Sequence, residues 1–223
     1  MEPIIKTALA LIKPHMQIGL GGGHNVANLT AALAKRTDLN LTFYSPSELT
    51  RQNCRRLGLA VTALTPDTHI DLAFDGCDSV DTAFHALKSN GGIFLAEKAY
   101  AERSQEYILL VPADRRRPAL NPAVPLTIEV APIAAETVLQ FIQTQGYQAE
   151  VRAGEKVASW ARTPAGNLLV DCQADDWFDI GNFNAAVSRQ NGVVATSYFA
   201  NLVTQVLTFA PDGTVKHYRK EGF

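Results

Sequence analysis

Gln17-Ile18-Gly19-Leu20-Gly21-Gly22-Gly23-His24-Asn25 joins a short apolar run to a glycine loop, and Val26, Leu29 and Leu33 follow at i, i+3 and i+7. The run reads as a buried strand and the spacing as an amphipathic helix, which makes the stretch a strand–loop–helix unit. Upstream, apolar positions over residues 4–13 repeat at helical spacing until Pro14. Downstream the alternation continues, with strand 39–44, helix 48–57, strand 70–74, helix 93–101 and strand 107–111. This order predicts an α/β fold, with a Rossmann-like, mostly parallel sheet and helices on both faces.

Beyond Pro118, Pro122 and Pro125 the order changes to strand 126–130, helix 134–145, strands 148–152 and 167–172, helix 181–190 and strand 192–198. That is a β-α-β-β-α-β unit of split ferredoxin type, a smaller α+β domain. The last strands, near 203–209 and 214–218 around Pro211-Asp212-Gly213, are expected to return to the first sheet. The expected domains are therefore 1–125 with 199–223, and an inserted domain over 126–198.

Hydrophobic residues make up 47% and charged residues 19% of the 223, a globular rather than a disordered composition. Twenty basic and 22 acidic residues give a net charge of -2, so no overall field recruits nucleic acid or an anionic membrane, and any anion site is local. Met1-Glu2-Pro3-Ile4-Ile5-Lys6 has no basic, apolar, small-residue order of a secretory signal, and no apolar run approaches bilayer length, so the expected location is cytoplasmic. Cys54, Cys77 and Cys172 form no C-x-x-C pair and are expected as reduced, buried thiols. His15, His24, His69, His85 and His217 are scattered, and no metal or cofactor is expected.

The loop from Gly21 through Gly22, Gly23 and His24 to Asn25 offers free N–H groups at a helix start, which suit an anion such as phosphate; a plain tight turn is the alternative. It is not a P-loop, and His24 spoils a dinucleotide fingerprint. Asp75-Gly76-Cys77-Asp78 directly follows a buried strand. Ligands of open α/β sheets gather beyond the carboxyl ends of strands, so Asp75 and Asp78 are candidates for binding substrate hydroxyls. Lys88 precedes Ser89-Asn90-Gly91-Gly92, and Gly91 and Gly92 present backbone donors to a developing oxyanion. Glu97 follows Ile93-Phe94-Leu95-Ala96, apolar surroundings of the kind that raise a carboxyl pKa toward that of a general base. Each residue alone also fits a structural role: aspartates capping turns, Lys88 on the surface, Glu97 in an ordinary helix, Lys98 as a solvated charge.

In combination these segments resemble the ribose-5-phosphate isomerase A family. Asp75-Gly76-Cys77-Asp78 resembles its D-G-A-D motif, Lys88-Ser89-Asn90-Gly91-Gly92 its K-G-G-G-G loop, and Glu97-Lys98 the end of its R-E-K motif. Pro125-Leu126-Thr127-Ile128-Glu129-Val130 is similar to P-L-P-V-E-V, and Gly166-Asn167-Leu168-Leu169-Val170-Asp171 to G-N-x-I-L-D, so the likeness runs from about Ile18 to Val215. The resemblance implies metal-free interconversion of ribose 5-phosphate and ribulose 5-phosphate through an enediolate. It also implies that Glu97 carries the proton while Asp75, Asp78 and Lys88 hold and polarise the sugar. A phosphate-clamping lysine of the family is replaced within Arg115-Arg116-Arg117, by Arg117 in this reading, and a homodimer or higher homo-oligomer is implied.

The phosphate loop departs from the family's G-x-G-T-G-S-T, because Gly22, His24 and Asn25 replace its three hydroxyl residues. Ser79 replaces the acid that ends D-G-A-D-E, and Ala96 the arginine of R-E-K. Two rival readings follow: a non-catalytic sugar-phosphate-binding regulator on the same scaffold, or an isomerase of a different sugar phosphate.

Overall fold

The computed structural model describes residues 2–221. Met1, Gly222 and Phe223, which the expected domain boundaries include, lie outside the described residues. The helices are α1 (Pro3–Ala10), α2 (His24–Leu33), α3 (Glu48–Arg56), α4 (Phe94–Ala101), α5 (Ala135–Thr144) and α6 (Ile180–Val187). The strands are β1 (Gln17–Leu20), β2 (Thr42–Tyr44), β3 (Val61–Thr62), β4 (Ile70–Asp75), β5 (Ser79–Val80), β6 (Ala86–Leu87), β7 (Ser104–Pro112), β8 (Leu126–Val130), β9 (Gln148–Val151), β10 (Leu168–Gln173), β11 (Val193–Thr196), β12 (Tyr198–Phe199), β13 (Gln205–Phe209) and β14 (Val215–Arg219).

The chain divides into two compact units. One takes the described residues up to Cys77, then Ala96–Arg116 and those from Asn201 onward; the other takes Asp78–Leu95 and Arg117–Ala200. The first holds a seven-stranded sheet in the order β14-β13-β7-β4-β1-β2-β3, parallel except for β14. From β1 the chain runs outward through β2 and β3, then returns to place β4 on the other side of β1. The order therefore reverses between β1 and β4, the switch point where open α/β sheets leave a crevice beyond their carboxyl ends. Ile18, Leu20, Leu72, Phe74, Ile108 and Leu110 of the sheet pack with Ile4, Ile5, Val26, Leu29 and Leu33 of the helices. The run Tyr107–Val111 is buried at every position, as expected of a strand covered on both faces.

The second unit holds the predicted β-α-β-β-α-β element as an antiparallel sheet, β11-β8-β10-β9, with α5 and α6 supplying Val138, Ile142, Ile180, Phe183 and Val187 to its core. Glu129, in the middle of β8, is buried and accepts hydrogen bonds from Thr163 Oγ1 and Asn167 Nδ2, both at 2.8 Å. Those bonds satisfy a polar group otherwise costly inside a core.

A second small sheet, β12-β6-β5, was not foreseen. Two-residue strands carry no readable period, and this hairpin is fixed by pairing Tyr198 with Leu87 and Phe199 with Ala86. Because Leu87 and Leu120 share a core with Leu126 and Tyr198, residues 78–95 and 117–125 group with the second unit, as do 199 and 200, whereas the sequence reading counted them with the first. Strand β2 also starts later than residue 39. Leu39 is buried from a 3₁₀ turn, Thr37–Leu39, closed by Asn40 in the left-handed region.

Candidate active site

In the first unit the glycine loop and Asp75, both candidates from the sequence, meet at the switch point. Gly21 N–H continues the ladder onto Phe74 O at 2.9 Å, and Thr50 Oγ1 of α3 donates to Gly21 O at 2.6 Å. Asp75, the last residue of β4, is buried beside that loop. Its Oδ1 accepts Gly22 N–H at 3.0 Å and Gly76 N–H at 2.8 Å, and its Oδ2 accepts the Tyr107 hydroxyl at 2.7 Å. Burial pushes the Tyr107 phenol well above its ordinary pKa, with the negative charges of Asp75 and Glu97 adding to the shift, so Tyr107 is a permanent donor.

This geometry redistributes the glycine loop's donors. Gly21 and Gly22 spend their N–H groups on Phe74 and Asp75, and the Asn25 side chain donates to Leu110 O at 3.0 Å. Gly23, with φ 95°, precedes α2, whose first residue His24 is exposed and meets Asn28 Nδ2 at 3.1 Å. Arg115 Nη1 donates to Cys77 O at 2.6 Å, bringing a cation to the turn after β4. Arg117 instead lies in the second unit, exposed, with its N–H on Val80 O. Sequence reasoning missed Tyr107, and within Arg115-Arg116-Arg117 it chose Arg117 over Arg115. Tyr107 had a signal, since a phenol at the start of the aliphatic run Ile108–Val111 needs a buried partner for its hydroxyl.

In the second unit the hairpin β5–β6 carries Asp78 before its first strand and Lys88 after its second, with Asp78 N–H on Leu87 O at 2.9 Å. Lys88 is buried, its N–H pairs with Ser197 O at 3.0 Å, and its Nζ stands 5.7 Å from the centre of the Phe199 ring. Asp78 Oδ2 accepts the N–H groups of Ser89 and Asn90 at 2.8 and 3.0 Å, and its Oδ1 accepts Asn90 Nδ2 at 2.7 Å. Gly91 and Gly92 follow with φ 85° and 64°, a conformation that strains any other residue.

Helix α4 begins immediately after this turn. Glu97, in its first turn, is 5% exposed. All three cysteines are buried free thiols, as read from the sequence, and burial raises the Cys172 pKa to about 12. Among the described residues, no three His, Cys, Asp or Glu side chains group as metal ligands, and no helix is long and apolar enough to cross a membrane.

The sequence profile described as ribose 5-phosphate isomerase A (phosphoriboisomerase A) matches residues 42–213, most of the chain. The chain belongs to the ribose 5-phosphate isomerase A family. A family member from Chloroflexus aurantiacus, named ribose-5-phosphate isomerase A, is 33% identical over 94% of this chain and 89% of its own length. A Roseiflexus relative of the same name is 29% identical over 94% and 91%. Among solved structures, ribose 5-phosphate isomerase A from Methanocaldococcus jannaschii superposes with a TM-score of 0.90 at 26% identity, covering 98% of this chain and 97% of that one. A D-ribose-5-phosphate isomerase in complex with phospho-erythronic acid gives 0.92 at 25% identity, covering 98% and 96%.

One residue of the family-like motifs corrects its sequence reading. Lys98 is not a solvated surface charge: it is half-buried, and desolvation lowers its pKa from 10.5 to about 8, against a smaller upward pull from Glu102. Between about pH 8 and 10.5 the unfolded chain therefore holds a proton that the native chain lacks, so this residue makes stability rise with pH across that window. At pH 7 the charged amine opposes folding. Thermal melts of the parent and Lys98→Gln should diverge at pH 7 in favour of the variant and converge toward pH 10. Parallel pH dependences would contradict the assignment.

Proposed function

We propose that this protein interconverts ribose 5-phosphate and ribulose 5-phosphate, with Glu97 as the base. Family membership across nearly the whole chain carries this reading, and the segments that hold Asp75, Asp78, Lys88 and Glu97 lie within the matched residues 42–213. The reaction moves one proton from C2 of the open-chain aldose to C1, while a second moves from O2 to O1. One carboxylate serving two adjacent carbons achieves the first transfer, and a buried carboxylate without water's competition suits it. The Lys88 ammonium and the N–H groups of Gly91 and Gly92 stabilise the enediolate oxygen, where fixed donors lower the barrier most.

Asp75 and Asp78 are assigned two tasks. Each holds a loop through the hydrogen bonds described above, and each carries a negative charge suited to sugar hydroxyls. The phosphate end is assigned to the N–H groups of Gly23, His24 and Asn25 with an arginine, and Arg115 is a better candidate than Arg117 because it already reaches the turn after β4. Phospho-erythronic acid, bound by the relative, is a phosphorylated sugar acid whose planar carboxylate resembles the end of an enediolate. That ligand chemistry supports a sugar-phosphate substrate here. A cytosolic homo-oligomer is part of the same reading, supported by buried free thiols and by exposed Ile133 and Phe178.

The departures at Gly22, His24 and Asn25 favour the rival reading, a sugar-phosphate-binding regulator, or another sugar phosphate as substrate. Purified protein assayed across aldose and ketose phosphates, before and after exhaustive chelation, separates them. Ribulose 5-phosphate formation that survives EDTA is the expected result. Binding without turnover would favour the regulator, and turnover lost with EDTA and restored by a divalent ion would overturn the metal-free mechanism.

A further inference from the structure

We propose that Arg152, which lies outside every motif quoted above, is a positioning residue that sets the orientation of the Lys88–Gly92 turn. The proposal rests on the reading of that turn as the enediolate's oxyanion site.

The turn cannot hold itself. Two successive glycines at positive φ have little conformational preference, so their N–H directions depend on the peptide that precedes them. That peptide joins Ser89 to Asn90. Its N–H donates to Asp78 Oδ2 at 3.0 Å, and its carbonyl accepts Arg152 Nη2 at 2.9 Å. A carboxylate at the positive end of the peptide dipole and a guanidinium at the negative end fix its plane by two charge-assisted bonds.

Arg152 is itself immobilised. Its Nε donates to Asp171 Oδ2 at 2.7 Å, and its Nη2 reaches Asp171 Oδ1 and, at 2.8 Å, Thr127 Oγ1. Thr127 Oγ1 in turn donates to Asp171 Oδ1 at 2.7 Å, with the Ser89 carbonyl a second, longer acceptor at 3.4 Å. Thr127 and Asp171 face each other in the β8–β10 ladder, and Arg152 directly follows β9, so the clamp stands on the antiparallel sheet and not on a loop. The Arg152 and Asp171 side chains are only 22% and 15% exposed. Ser89 is pinned further by its N–H on Asp78, by its hydroxyl on Pro125 O, and by Ser197 Oγ at 3.1 Å, which also accepts Thr127 N–H.

The chemistry selects arginine. One planar fork reaches a carboxylate, a hydroxyl and a peptide carbonyl together, which the single ammonium of lysine cannot do. Arg152→Lys keeps the charge beside Asp171 while releasing the Ser89 carbonyl. Thr127→Val keeps the strand's branched side chain while removing the hydroxyl that braces the guanidinium.

Both variants should be measured for isomerisation of ribose 5-phosphate and for amide hydrogen exchange in peptides spanning 88–92, well below their melting temperatures. For Arg152→Lys, kcat should fall by about tenfold or more while KM changes by less than about threefold, the pattern of a donor misplaced mainly in the transition state. Exchange over 88–92 should accelerate by about tenfold or more, and Thr127→Val should move both readouts in the same direction by less. Parental kcat and parental exchange would overturn the proposal, leaving Arg152 a stabiliser of its sheet. If the parent itself does not turn over, the isomerase reading fails alone, and exchange still decides: faster supports the clamp, unchanged sinks it. If Arg152→Lys does not fold, Thr127→Val decides by the same two measurements.

Discussion

Glu97→Gln should fold as the parent does, bind ribose 5-phosphate, and isomerise it with a kcat lower by roughly a hundredfold or more. The amide keeps the shape and most of the hydrogen bonding of the carboxylate but accepts no proton from C2 at neutral pH, and losing a general base costs on that scale. Glu97 is buried in the first turn of α4, directly after the Gly91–Gly92 turn in the chain, so a same-size replacement is the test that leaves packing alone. KM should change little, because binding does not require the base. Lys98→Gln is the informative neighbour: its half-buried amine helps set the local charge, so a modest shift of the pH–rate profile near pH 8 is expected, not loss of turnover. A folded Glu97→Gln protein that runs near the parental rate removes Glu97 from the mechanism.

The sequence made some features of this molecule readable and hid others for physical reasons. Strand β1 and the glycine loop were legible because a short apolar run, three glycines and a 3.6-residue period follow one another without interruption. The same holds for the β-α-β-β-α-β element, whose strands are long enough to show their apolar character. The hairpin β5–β6 was not legible, since its two-residue strands are buried by partners more than a hundred residues away. Asp75 and Asp78 were picked out as acids at a strand end, but their engagement with Gly22, Tyr107, Ser89 and Asn90 depends on which strands are neighbours. That β7 lies beside β4, with Tyr107 opposite Ala73, is topology and has no local code. Arg152 was silent for the same reason: nothing around it in the chain says that a turn sixty-three residues upstream will need its guanidinium.

Gly21→Ala should destabilise the protein by about 2 kcal/mol or more and lower kcat/KM sharply, whereas Gly22→Ala, one residue on, should leave stability nearly unchanged. A methyl group on Gly21 would stand 2.1 Å from Asp75 Cγ and 2.3 Å from both carboxylate oxygens, while one on Gly22 would meet nothing within 4 Å. The clash cannot be relieved cheaply, because Asp75 is buried and anchored by Gly22, Gly76 and Tyr107. Displacing it strains the loop and breaks hydrogen bonds to a charge, each worth more than a neutral one. Gly22→Ala carries no such penalty and restricts the unfolded chain slightly. Urea denaturation of both variants checks the contrast. The cause is checked by adding Asp75→Ala: with the carboxylate gone the methyl group gains room, so Gly21→Ala should cost much less in that background than in the parent. Equal costs in the two backgrounds would mean that Gly21 is required for the backbone alone, and that the close packing of loop against carboxylate does not govern this end of the sheet.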